Sequence, residues 1–124
     1  PLAGASVEAV TMAFGIRNIM NRTGAMKEFY RTLEPGGRII ILELTTPQKG
    51  LMRRLYLLYF QKILPIIGSF FSKHGNAYAY LPESVLKFPD PVSFANQMKA
   101  AGFKDIRFNE MTLGIVTLFV GIKR

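Results

Sequence analysis

Charged side chains stand at two points where a ligand site could form. Arg17 and Asn18 directly follow the apolar run Val7 to Phe14, and Glu43 interrupts a second apolar run. An arginine just past the carboxyl end of a strand lies where open α/β sheets bind ligands. Its donors can stabilise a developing oxyanion. The structural alternative is that Asn18 caps the next turn and Arg17 pairs with Glu43.

Glu43 is informative because a carboxylate inside a strand is costly unless it is paired. Either it holds Arg17 in place, or it is hydrogen-bonded near the edge of the sheet. The spacing alone leaves both possibilities open.

The composition excludes several other chemistries. The 124 residues contain no cysteine and one histidine, His74, which disfavours thiolate zinc sites, cysteine nucleophiles, His-based metal sites and Ser-His-Asp triads. We predict no metal site and expect His74 to be a solvated loop residue. With 49% hydrophobic and 19% charged residues, the chain is typical of one core-forming domain. No charge-free apolar run reaches the roughly 18 residues that span a bilayer, and no secretory signal is visible, so we expect a cytoplasmic location.

The first half of the chain predicts a strand, a helix and a second strand. Val7 to Phe14 is of strand length, Asn21 to Thr23 offers helix caps, and the helix is expected to reach about Leu33. Residues 34–37 stop the helix and turn the chain, and Arg38 to Leu44 forms the next strand. Such continuous apolar runs are typical of parallel strands that are buried on both faces.

The middle of the chain is helical and very apolar. A helix is expected over 51–64, ended or kinked by Pro65, with a further turn or two over 66–73. Residues 78–88 indicate another short helix.

The last third predicts a helix and two closing strands. Pro91 suits a first-turn position, residues 92–101 form an amphipathic helix, and Gly102 is its C-terminal cap candidate. Strands over 103–109 and 114–123 are expected to pair antiparallel. This is the second half of a doubly wound α/β sheet with a helical insertion and a terminal hairpin, and class I S-adenosylmethionine-dependent methyltransferases end in this manner.

Short runs along nearly the whole chain carry a family resemblance. These segments are Phe14–Asn18, Tyr30–Arg38, Leu42–Leu44, Ile63–Gly68, Tyr78–Val85, Phe88–Asp90, Ala101–Phe103 and Leu113–Val116. The runs Phe-Gly-Ile-Arg-Asn and Tyr-x-Tyr-Leu-x-Glu-Ser are specific, whereas the Leu-x-Pro-Gly-Gly turn is common among methyltransferases. Together the segments resemble the ubiquinone/menaquinone biosynthesis C-methyltransferase family, and most of all its bacterial demethylmenaquinone methyltransferases.

The resemblance implies transfer of a methyl group from S-adenosylmethionine to a ring carbon of a prenylated quinol, either a naphthoquinol or a benzoquinol. It makes Arg17 the candidate for activating the quinol hydroxyl, with water, and for stabilising the quinolate. Asn18 would orient Arg17 or the ring oxygens. A guanidinium holds its proton too tightly to act directly as a base.

The resemblance also implies binding residues. Ala13 and Phe14 would contact the cofactor, although the family often has Ser where this chain has Ala13, so only backbone or van der Waals contact is expected there. The substrate pocket would use Tyr78, Tyr80, Glu83 and Ser84. The alternatives are strand-end packing for the first pair and ordinary packing for the two tyrosines.

The family's glycine-rich cofactor loop and ribose-binding acid have no counterpart here, since the 11 glycines include no Gly-x-Gly pair. The chain also opens at Pro1 without an initiator Met. We therefore expect residues 1–124 to be one partial domain, the C-terminal half of the enzyme, with 48–90 as a helical lid or substrate region. Alone, it should be inactive and bind the cofactor poorly.

The middle segment combines basic and apolar residues. No Asp or Glu occurs over 44–82, and the net charge of the chain is +8. This pattern is typical of a helix at an anionic membrane surface, so peripheral contact through 49–73 at the inner face of the membrane is one prediction. A lid or a homodimer contact is the other.

No nucleic-acid partner is expected, because the aromatic residues lie in apolar runs; an RNA methyltransferase is the less favoured alternative. A non-catalytic module for membrane-surface binding, quinone binding or dimerisation is a further alternative.

Overall fold

A computed structural model describes residues 2–64, 66–67 and 84–124. Its sheet has four strands in the order β1-β2-β4-β3. The strands are β1 (Val7–Ala13), β2 (Leu33–Leu44), β3 (Lys104–Met111) and β4 (Val116–Ile122). The first two pair parallel and the other pairings are antiparallel, which confirms the predicted parallel pair and closing hairpin. Not predicted is the place of β4, which lies between β2 and β3.

Helix α1 (Arg22–Thr32) connects the two parallel strands. The side chain of Asn21 accepts a hydrogen bond from the Gly24 amide at 3.0 Å, so the predicted cap is confirmed. Met26 and Thr32 are buried on its inner face. The helix therefore closes a strand–helix–strand unit of the kind that orders parallel sheets.

The start of β2 differs from the prediction. Residues 34–37 do end the helix, but they continue into β2 as an irregular segment, with Val7 opposite Leu33 and Ala9 opposite Arg38. The end of β4 holds this segment in place, because the Lys123 amide donates to the Gly37 carbonyl at 2.9 Å. Long-range pairing with β4 thus overrides the local turn signal.

Helix α3 (Pro91–Ala100) begins as predicted, with Pro91 in its first turn. The Asp90 side chain accepts from the Ser93 amide at 3.2 Å and caps the helix. Gly102, at φ +115°, follows its last residues. The left-handed conformation there suits glycine and turns the chain into β3.

One face of the sheet carries the core. Helices α1 and α3 supply residues to a single buried cluster, in which the Phe94 and Phe119 rings lie 4.7 Å apart. On the opposite face Ile40, Leu42 and Val120 are only partly buried, and no residue of β1 is buried. The prediction of strands buried on both faces is therefore wrong for the described residues, because these helices cover only one face.

The predicted apolar helix is present as α2 (Gly50–Leu58), which continues through a π-helical turn, Tyr59–Ile63. Pro65 and residues 68–83, including His74, lie outside the described residues. Residues 84–87 are helical, as predicted for the end of 78–88. In the described part of the chain no helix has both the length and the apolar character to cross a bilayer.

Candidate functional site

Arg17 lies just beyond the carboxyl end of β1. The Phe14 amide makes the last bond to β2, donating to the Leu42 carbonyl at 2.8 Å. A 3₁₀ turn, Ile16–Asn18, follows and is anchored by the fully buried Ile16. The turn thus brings Arg17 next to Glu43, near the end of the neighbouring strand.

Arg17 and Glu43 form a buried ion pair. The Arg17 Nη1 and the Glu43 Oε1 lie 2.7 Å apart, and the Glu43 side chain is fully buried. The Arg17 backbone amide donates to Oε2 at 3.1 Å, and the Leu44 amide donates to Oε1 at 2.8 Å. Three donors therefore satisfy the carboxylate, which is what a buried charge requires. The structure therefore contains the Arg17–Glu43 pair that the sequence analysis gave as an alternative, and Glu43 positions Arg17.

Two further contacts fix the guanidinium. Its Nη1 donates to the Phe14 carbonyl at 2.9 Å, and its Nε donates to the Ser84 Oγ at 3.3 Å. Among the described residues none accepts from Nη2. The side chain is 10% exposed, so one edge of a well-held guanidinium remains available.

Arg17 also lines a cavity of about 490 Å³. Besides Arg17, two basic residues, Arg22 and Lys87, contribute to its wall, and Arg22 also lies over the Phe88 ring at 5.3 Å. Positive charge around a partly enclosed space favours an anionic ligand oxygen. The complete lining is Arg17, Asn18, Ile19, Met20, Arg22, Ser84 and Lys87.

The structure unites some of the predicted site residues and leaves others undescribed. Asn18 shares the turn and the cavity with Arg17, and Ser84 contacts Arg17. The next helix is capped by Asn21 and not by Asn18. The predicted pocket residues Tyr78, Tyr80 and Glu83 lie outside the described residues.

Ala13 and Phe14 lie at the carboxyl end of β1, and both are exposed. Phe14 is 44% exposed and adopts φ +57°, which turns the chain out of the strand. The two residues therefore form an exposed, apolar end of the strand. The described residues offer no group of three or more acidic or histidine side chains that could hold a metal ion.

Sequence reasoning missed Tyr56, which is 5% exposed on α2. Its hydroxyl is buried and has no hydrogen-bond partner among the described residues. Burial raises the pKa of Tyr56 to about 12, and the positive charge of Arg17 opposes that rise. The only signal in the sequence was a hydroxyl among the apolar residues of a helix that also contains two arginines.

Comparison with known proteins places this arrangement in a family. A profile of the ubiE/COQ5 methyltransferase family matches residues 1–123. The chain belongs to the ubiE/COQ5 methyltransferase family. This confirms the resemblance found in the sequence.

Two relatives of the ubiE/COQ5 family illustrate the similarity. The ubiquinone/menaquinone biosynthesis C-methyltransferase UbiE of Geotalea daltonii is 48% identical over 123 residues, covering 99% of this chain and 52% of the relative. The demethylmenaquinone methyltransferase of Deinococcus radiodurans is 47% identical over 124 residues, covering 100% and 51%. The chain thus spans about half the length of these relatives.

Solved structures confirm the fold class. A Thermotoga maritima S-adenosylmethionine-dependent methyltransferase, a possible histamine N-methyltransferase, superposes with a TM-score of 0.67 at 18% identity, covering 100% of this chain and 59% of that one. A Haemonchus contortus phosphoethanolamine N-methyltransferase gives 0.65 at 15% identity, covering 99% and 35%. This ubiE/COQ5 chain therefore has part of a Rossmann-like methyltransferase sheet.

Proposed function

We propose that the whole protein containing this chain transfers a methyl group from S-adenosylmethionine to a ring carbon of a prenylated quinol such as demethylmenaquinol. Membership of the ubiE/COQ5 family over residues 1–123 supports the reaction class. The names of two relatives, which refer to menaquinone and ubiquinone biosynthesis, support the substrate class.

The observation that carries the proposal is the way Arg17 is held. A fully buried carboxylate and two further acceptors fix its guanidinium at the carboxyl end of β1, and Nη2 still has no acceptor among the described residues. A cation placed in advance where negative charge develops needs little reorganisation during the reaction.

The chemistry of Arg17 follows from the needs of a carbon nucleophile. A quinol ring carbon becomes nucleophilic as the neighbouring hydroxyl loses its proton, because the oxygen then donates electron density into the ring. Arg17 would stabilise that quinolate, and the proton would leave through water, since the guanidinium holds its own. Asn18, on the same turn, would orient a ring oxygen.

The cofactor would share its site between this chain and the rest of the protein. S-Adenosylmethionine, when bound, supplies an electrophilic methyl group on a sulfonium. The exposed Ala13 and Phe14 are the residues of this chain that would form one wall of its site. Ala13 has no hydroxyl, so its contribution is van der Waals or backbone contact.

The test is methyl transfer by the full-length protein, measured as radiolabelled methyl incorporated from S-adenosylmethionine into demethylmenaquinol. We expect product with the wild-type protein and a large loss with Arg17→Ala. A full-length protein that binds both compounds and forms no methylated product would contradict the proposal and favour a non-catalytic quinone-binding module.

We also propose that the protein works peripherally at an anionic membrane surface, from which it takes its substrate. Large apolar residues of α2 and the following turns are exposed, among them Leu51 at 69% and Ile66 at 58%. An α-helix turns about 100° per residue, and the π turn takes in one extra residue. That extra residue keeps Ile63, Ile66 and Ile67 on the same side as the exposed leucines of α2.

We name Leu51, Leu55, Leu58, Ile63, Ile66 and Ile67 the apolar stripe. The charges beside the apolar stripe complement an anionic surface. Arg54 and Lys62 are exposed along one flank of it, whereas Arg53 donates to the Pro47 carbonyl at 3.3 Å. Basic residues next to an exposed apolar face are the features that bind a helix flat on a bilayer.

A further inference from the structure

We propose that a cleft between α2 and the start of β4 binds the first isoprenoid units of the quinol's tail, and that the hydroxyl of Tyr56, one of its lining residues, hydrogen-bonds a quinol oxygen. This inference rests on the proposed function and adds a tail site and a polar contact to it.

The cleft has the size and surface that a hydrocarbon chain requires. Its volume is about 340 Å³, within the range of about 300 to 1,000 Å³ that is usual for small-molecule sites. Its wall is almost entirely apolar, formed by Met52, Leu55, Tyr56, Tyr59, Phe60 and Ile115. Burying an apolar tail there would remove both surfaces from water.

The cleft connects the two regions already described. Leu55 belongs to both the apolar stripe and the cleft wall, and it is 51% exposed, so the outer end of the cleft opens where the stripe would meet lipid. Tyr56 lines the same cleft, and the Arg17 charge acts on its hydroxyl. A tail lying in the cleft would therefore bring its ring towards Arg17.

The Tyr56 hydroxyl supplies the second, independent observation. Leaving a buried hydroxyl without a partner is destabilising, and in the described part of the chain this one has none. An oxygen of the quinol ring, brought in by the tail, would satisfy that donor. Burial raises the pKa of Tyr56 to about 12, so the hydroxyl keeps its proton and donates at neutral pH.

The experiment measures binding without turnover. Full-length protein with S-adenosylhomocysteine is titrated calorimetrically with oxidised 1,4-naphthoquinones that carry no tail, one isoprenoid unit or two. For wild type we expect the two-unit compound to bind about tenfold more tightly than the tail-less one, because each buried methylene adds apolar burial.

Two variants separate the cleft from the hydroxyl. Ile115→Phe should fill the cleft, leaving the tail-less Kd unchanged and reducing the gain from two units to less than about threefold. Tyr56→Phe should weaken all three compounds by about three- to tenfold and retain the gain from the tail. Leu57→Phe, on the same helix but outside both the cleft wall and the apolar stripe, should behave like wild type. Circular dichroism checks folding, and Met52→Phe replaces Ile115→Phe if that variant unfolds.

Contradictory results are distinct from failure of the proposed function. A full gain from the tail in Ile115→Phe and Met52→Phe would overturn the tail site. Wild-type affinity for every compound in Tyr56→Phe would overturn the hydrogen bond. Either result could occur in a protein that still methylates demethylmenaquinol, whereas absence of methyl transfer would remove the proposed function itself.

Discussion

At the scale of the residue, the main role of the buried Glu43 is to position Arg17. A lone carboxylate in a strand would be strongly destabilising, yet here three donors converge on it. A buried ion pair adds little net stability compared with apolar packing, but it fixes geometry. The pair therefore serves the orientation of Arg17 more than the stability of the sheet.

The first prediction concerns Arg17 in the full-length protein. Arg17→Ala should lower kcat on the order of 10²-fold, the usual loss for one preorganised electrostatic donor, while S-adenosylmethionine affinity changes little. Arg17→Lys should lose less, because it keeps the charge and loses the planar fork. Steady-state kinetics with calorimetry provide both numbers, and near-full kcat in Arg17→Ala would assign Arg17 a structural role.

The second prediction concerns Glu43. Glu43→Gln keeps the size of the side chain but replaces one acceptor oxygen with an NH₂ donor. That donor would face either the Arg17 backbone amide or its Nη1, which are donors themselves. We expect the free energy of unfolding to fall by about 1–3 kcal/mol in urea titrations. The control is Glu28→Gln, which breaks an exposed pair with Arg31 and should produce no measurable change. Equal stability of the two variants would show that the burial of Glu43 has no energetic consequence.

The sequence supported the Arg17–Glu43 pair because burial of a carboxylate limits its partners, and that rule needs only a strand assignment. It could not show the role of Tyr56. A tyrosine within an apolar helix resembles packing, and whether its hydroxyl finds a partner depends on residues far away in the chain, here in the region of Arg17.

At the scale of the element, helix caps could be predicted well, because they depend on neighbouring residues. The π turn at Tyr59–Ile63 and the insertion of β4 beside β2 could not, because both follow from tertiary packing. The same limit explains β2, where hydrogen bonds to Lys123, just after β4, hold the Pro-Gly-Gly segment at the start of the strand.

The third prediction concerns the cap of α3. Hydrogen bonds from Ser93 hold the pKa of Asp90 below its ordinary value of 3.8. Asp90→Ala should cost about 1 kcal/mol at pH 7. Because the folded pKa is the lower one, this contribution is present above the unfolded pKa and disappears as the pH falls through the folded value. Asp90→Asn should keep the cap without this pH dependence, and a constant difference between Asp90→Ala and wild type down to acid pH would contradict the prediction.

The fourth prediction concerns the apolar stripe. Arg54→Glu with Lys62→Glu should weaken co-sedimentation of the full-length protein with anionic vesicles, since each basic residue contributes about 1 kcal/mol near such a surface. Lys27→Glu with Lys99→Glu makes the same change of charge on exposed positions of α1 and α3, and should leave co-sedimentation closer to wild type. Unchanged binding of the first variant, with its fold intact, would favour a lid or a homodimer contact for the stripe.

At the scale of the whole molecule, one face of the sheet lacks a covering layer, and the chain is about half as long as its relatives. Apolar residues of β2 and β4 remain partly exposed on one face, and the chain spans about half of each relative described above. The continuous apolar runs correctly indicated strands, but the helices of this chain cover only one face of them. They could not show which part of the protein supplies the second layer.

The fifth prediction follows from that shortfall. The chain alone should bind S-adenosylmethionine at least about 100-fold more weakly than the full-length protein, because among its described residues the proposed cofactor wall is only Ala13 and Phe14, and about 3 kcal/mol or more of contacts would be lost. Calorimetry on both proteins measures the ratio. Equal affinities would show that this chain holds the complete cofactor site.

The position of β1 at one end of the sheet has a consequence for self-assembly. Among the described residues nothing pairs with its outer edge, so a row of backbone donors and acceptors is open. Two isolated chains joined β1 to β1 would be related by a two-fold axis, and the assembly would close as a dimer with one continuous sheet. Joining β1 of one copy to β3 of the next leaves β3 open at one end and β1 open at the other. The same contact can then repeat, and it generates a filament. The symmetry of that first contact would therefore decide whether the isolated chain stays in solution or forms fibres.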